Sequence, residues 1–101
     1  MKQENLIALT EICTHHQIEV SFIHSLNESG LIELISIEHD IFIIDNQLAQ
    51  LEQYIDFHYT LGINLEGIET ISHLLHRMNT LEAELSKLKN TVLFHEEAKQ
   101  H

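Results

Sequence analysis

Apolar residues follow two different rhythms along this chain, and the longer one sets its organisation. From Asn64 to about Ala98, Ile71, Leu74, Met78, Leu81, Leu85, Leu88 and Val92 recur in alternating steps of three and four. That spacing places all seven on one stripe of a continuous helix, a heptad seam that pairs with another helix. No proline interrupts the run, and such a helix reaches about 50 Å at about 1.5 Å per residue. A rod this long outruns the core of a small domain, so Leu81 to Val92 calls for a partner. We expect these seven residues to mediate dimerisation.

The first sixty residues carry shorter patterns. Leu9, Ile12 and Cys13 have the i, i+3, i+4 spacing of a helix over roughly Leu9–His16, with Thr10 available as N-cap. After a turn at Gln17–Ile18, a second helix over about Glu19–Glu28 turns Val20, Ile23 and Leu26 inward, and Ser29–Gly30 ends it. Two short helices joined this tightly form a helix-turn-helix. The β-branched runs Leu34–Ile37 and Ile41–Ile44 flank the polar Glu38-His39-Asp40, which reads as a hairpin with a three-residue loop. Asp45 is placed to cap a third helix, about Asn46–Leu61, with Leu48, Leu51, Ile55 and Tyr59 inward. Gly62 stops it, and Asn64 starts the long helix with Glu66 and Glu69 near its positive end. The predicted fold is mostly α. A winged helix-turn-helix with a small hairpin wing and a third helix occupies 1–62, and a long coiled-coil helix with its tail occupies 63–101.

Charge narrows the partners. Five basic residues face sixteen acidic ones, a formal net charge of −11. Up to His76 the only basic side chain is Lys2, against twelve acids. Nucleic-acid affinity comes from lysine and arginine displacing counterions, and this part of the chain has almost none. A field of this sign repels nucleic acid and attracts basic protein surfaces; the plain alternative is that it serves solubility alone. No apolar run is long enough to cross a bilayer, the N-terminal residues lack the design of a secretory signal, and the single Cys13 fits a reducing compartment. We expect a cytoplasmic protein.

Several strings carry a family resemblance. Leu9-Thr10-Glu11-Ile12-Cys13, Ile18, Ile23 and Gly30-Leu31-Ile32, with the later Leu61-Gly62-Ile63-Asn64-Leu65-Glu66-Gly67-Ile68, resemble the MerR-type winged-helix superfamily over most of residues 7–90. The resemblance implies a winged helix-turn-helix and a dimerisation helix that pairs antiparallel. DNA-binding members carry arginines and tyrosines on the second helix. The matching positions here are Ser21, His24, Ser25, Leu26 and Glu28, and the wing ends in Glu38-His39-Asp40. The Thr10–Cys13 string, Asp45 after the hairpin and Gly67-Ile68 are similar to the small acidic chaperone-modulator proteins of the CbpM type. That likeness implies binding to, and inhibition of, the J domain of a DnaJ-like co-chaperone (the CbpA type), in competition with its docking on DnaK. Glu52, Asp56, Glu66 and Glu69 are the acids expected to meet a basic J-domain helix. Tyr54 and Phe57, off the Leu48–Tyr59 stripe, are the candidate apolar anchors. For each acid the alternative is a solvated helix face, and for Phe57 a core aromatic.

Nine histidines raise the question of metal. Cys13, His15 and His16 are close in sequence, and His73 and His76 lie at i, i+3, but an isolated histidine pair is weak evidence and no metal or other cofactor is expected. The histidines would shrink the negative charge as pH falls towards 6 and weaken affinity for a basic partner. No glycine-rich phosphate loop, paired-carboxylate motif or nucleophile elbow is present, and Cys13 reads as buried and inert, so we expect no enzymatic activity. Two other readings stay open: a MerR-type transcriptional regulator or metal-responsive DNA-binding protein, and a dimeric adaptor for another protein.

Overall fold

The structure is a computed structural model that describes residues 5–99, with side chains described through Glu97. In order, the elements are β1 (Leu6–Ala8), α1 (Leu9–His16), α2 (Val20–Glu28), β2 (Ile35–Ile37), β3 (Asp40–Ile44), α3 (Leu48–Ile55) and α4 (Leu65–Lys99). A 3-10 turn at Asp45–Gln47 leads into α3, and a π-helical turn at Asp56–Thr60 follows it. The expected mostly helical architecture, with two short helices, a hairpin wing and a long C-terminal helix, is present. The chain forms two compact units, one ending at Glu69 and the other starting at Thr70.

The first unit is built on one apolar cluster. Leu9, Ile12 and Cys13 from α1, Phe22, Ile23 and Leu26 from α2, Ile43 from β3, Leu51, Tyr54 and Ile55 from α3, and Ile68 of α4 are all buried. Ile18 and Ile32, in the two connections, complete it. The α1–α2 turn is set by Gln17, which takes the left-handed conformation at φ 55° and lets Ile18 donate to the Cys13 carbonyl. The loop after α2 is pinned by side-chain amides. Gln47 accepts from the Glu33 N–H and donates to its carbonyl, while Asn27 accepts from the Leu34 N–H.

Several local expectations change. Leu6–Ala8 was not expected to be a strand, yet β1 pairs antiparallel with β3 in the register Leu6↔Ile44 to Ala8↔Phe42, making a three-stranded sheet of order β1-β3-β2. The hairpin turn has two residues, Glu38 and His39, both at positive φ (47° and 72°), with Ile37 opposite Asp40. Two positive φ values give the turn the right-handed twist that the flanking strands require. Thr10 lies inside α1, whose N-cap is Ala8, and neither Ala8 nor the residues around Asp45 supply a side-chain cap. In α2 it is Phe22 that is buried, while Val20 is 41% exposed. In α3 the inward set is Leu51, Tyr54 and Ile55, and Tyr59 is 44% exposed. The π turn causes the last change. Leu61 donates to Asp56, five residues back, so the wider turn rotates Tyr59 off the stripe that Ile55 follows.

Candidate protein-interaction surface

The helix-turn-helix and wing present acid and no fixed cation. Between Asn5 and Glu69 there is no lysine or arginine, and all eleven acids of that stretch are exposed. On α2, Leu26 belongs to the core, Ser21 and Glu28 face solvent, and His24 and Ser25 are half-buried. The hydroxyls there are already engaged: Ser21 donates to the Glu19 carboxylate at 3.3 Å and Ser25 to the Ser21 carbonyl at 3.0 Å. Glu38, His39 and Asp40 stand exposed at the wing tip. A face like this sets no lysine or arginine against a phosphate, and its own field is negative.

The amino end of α2 is clamped by aromatic rings. Phe22 stacks on the His58 imidazole at 4.6 Å with planes 14° apart, and Tyr59 meets both rings edge-on. The Tyr59 hydroxyl accepts from the Glu19 N–H at 3.2 Å, and His58 Nδ1 donates to the Ile63 carbonyl at 2.8 Å. A carbonyl only accepts, so the proton on Nδ1 is fixed by this bond. The π turn that moves Tyr59 off the core stripe is what delivers its hydroxyl to α2.

The predicted contact residues separate into groups. Glu52 and Asp56 are exposed, one turn apart along α3 and the start of the π turn. Glu52 Oε2 lies 3.7 Å from His16 Nε2 of α1, a neighbour that only the fold reveals. Glu66 and Glu69 are exposed in the opening of α4. There Asn64 Oδ1 accepts from the Gly67 N–H at 2.8 Å, the expected cap. Tyr54 is not a surface anchor. It is 2% exposed, and its hydroxyl accepts from Gln50 at 2.7 Å. It sits three residues after Leu51, on the same face, so a helix buried this broadly takes it into the core. Phe57 is half-buried against the same core, the plainer of its two expected roles.

Along α4 the seam is open. Ile71 is half-buried, and every residue from His73 to Glu97 is exposed, including Leu74, Met78, Leu81, Leu85, Leu88 and Val92. Leu93 and Phe94 add apolar surface at its end. Among the described residues no group of three histidine, cysteine or carboxylate side chains could hold a metal ion, and no helix is long and apolar enough to cross a membrane. Burial pushes the Cys13 thiol above its ordinary value, which favours the neutral thiol over the thiolate.

Residues 7–90 match the family model described as MerR HTH family regulatory protein. No curated protein and no solved structure matches the chain.

Proposed function

We propose, for a chain that belongs to the MerR HTH family of regulatory proteins, a role as a non-enzymatic modulator that acts on protein. Its target in this reading is the J domain of a DnaJ-like co-chaperone of the CbpA type, which it inhibits by competing with docking on DnaK. One observation carries the proposal. From Asn5 to Glu69, a stretch that includes the surfaces that would grip phosphate in a DNA reader, there is no lysine or arginine, and all eleven acids are exposed. A J domain of this kind presents a basic helix, the charge complement of such a surface, and complementarity of this sort speeds encounter and excludes wrong partners. The resemblance to the CbpM-type modulators in the Thr10–Cys13 string and at Gly67-Ile68 points to the same partner.

The modulator works as a homodimer in this reading, joined through the α4 seam from Ile71 to Val92. An uncovered heptad stripe of this length supports pairing. The reading also takes the protein to be cytoplasmic.

Titration of the full chain with a J domain, and separately with duplex DNA at low salt, tests the proposal. Saturable binding to the J domain that weakens with salt, and no binding to DNA, is the expected result. The reverse pattern would make the chain a MerR-type transcriptional regulator, the reading that the family description itself favours.

A further inference from the structure

Away from α2 and the wing, a groove opens between β1, α1 and α3. Leu6, Ile7 and Leu48 give it an apolar lining, Glu11 and Glu52 stand on its rim, and His16 reaches Glu52 from α1. Leu6 is 41% exposed although it lies in a strand, and β1 is an outer strand of the sheet. Leu6 is exposed beside half-buried Ile7 and Leu48, and an apolar floor of this kind within a charged rim suits a docked partner.

Charge decides which partner. No lysine or arginine between Asn5 and Glu69 neutralises Glu11 or Glu52. The same face of a second copy would bring the same two acids, and nucleic acid would bring more charge of that sign. A ligand that matches must place cations beside apolar side chains. The two helical walls, α1 and α3, have eight residues each, about 12 Å at about 1.5 Å per residue, which suits about two turns of an incoming helix.

We propose that this groove docks a basic amphipathic helix of a partner protein, its apolar face on Leu6, Ile7 and Leu48 and its lysines or arginines on Glu11 and Glu52. The inference rests on the reading that the chain binds a cationic protein. It keeps Glu52 of the expected contact set and pairs it with Glu11 of α1.

The test uses the full chain and two probes: a synthetic helical peptide with leucines on one face flanked by lysines, and a J domain. Anisotropy titrations compare the parent, the groove pair Glu11→Lys with Glu52→Lys, and the control pair Glu28→Lys with Glu38→Lys, which changes net charge equally on α2 and the wing. Circular dichroism confirms that each is folded, and Glu52→Gln and Leu6→Ala serve as milder probes of rim and lining. We expect the groove pair to weaken peptide binding by about tenfold or more and the control pair by no more than about threefold. Equal losses in both pairs would mean diffuse attraction and overturn the proposal, as would failure of the parent to bind the peptide. A Leu6→Ala variant that changes oligomeric state and leaves peptide affinity alone would assign the groove to a second copy and also overturn it. Peptide held in the groove with no binding of the J domain removes the co-chaperone reading and keeps the groove. A J domain bound equally well by parent and groove pair removes the groove and keeps the co-chaperone reading.

Discussion

Gly67 shows how much one position can constrain the start of a helix. A Cβ there would lie 2.6 Å from Ile63 Cγ2 and 3.1 Å from Asn64 Oδ1, the oxygen that caps α4. Alanine is the better helix former by about 1 kcal/mol, but displacing a β-branched side chain and a cap together costs roughly 1–3 kcal/mol. Gly67→Ala should therefore lower the denaturation midpoint, and a higher midpoint would mean that Ile63 swings aside freely. At Cys13 the sign comes from the raised thiol. The folded state holds its proton after the unfolded chain begins to lose it, so stability is complete below the ordinary value of 9.0 and falls as pH rises past it. Thermal unfolding above that pH should show the decline, and Cys13→Ala should blunt it. The sequence shows Cys13 as part of an apolar triplet, so its burial was legible. Tyr54 was not, because its place depends on how widely α3 is covered, and the sheet and helices that cover it are distant in sequence.

Among the elements, what could be read in advance divides by the range of the forces involved. The bounds of α1 and the cap of α4 follow from neighbours a few residues apart, and both were legible. Strand β1 was not: Leu6-Ile7-Ala8 has no period of its own and becomes a strand only because Ile44, Ile43 and Phe42 lie opposite. The two-residue wing turn was hidden for another reason, since Glu38-His39 lacks the Asn-Gly chemistry that announces positive φ. His39→Gly should accordingly stabilise the fold by about 0.5–1 kcal/mol, to be read from chemical denaturation, because glycine holds this conformation without a Cβ penalty. At the joint between α1 and α3, His16 Nε2 faces Glu52 Oε2 at 3.7 Å, a pairing between elements distant in sequence that only the fold brings together.

For the whole molecule, the net charge of −11 acts on folding and binding with opposite sign. Screening relieves the self-repulsion of an acidic fold and weakens its attraction to a basic partner. Between about 50 mM and about 500 mM salt the melting temperature should rise while affinity for the J domain or peptide falls. Both quantities moving the same way would contradict this electrostatic account. If α4 pairs through its seam, the melting temperature should also climb with protein concentration, and Leu81→Asp with Leu88→Asp should abolish that dependence. The heptads were plain in the sequence, but the continuity of the acidic face needed the fold, which turns all eleven carboxylates from Glu11 to Glu69 outward. The place of β1 carries a last consequence. With β1 paired along Phe42–Ile44 and β2 along Asp40–Phe42, every residue of β3 has a neighbouring strand on at least one side, although it runs Ile41-Phe42-Ile43-Ile44. A proteolytic clip just before Leu9 would strip one flank and leave a greasy template on which strands from other molecules could grow. Chains trimmed there should form turbid, thioflavin-positive deposits on storage, so β1 guards the protein against its own wing.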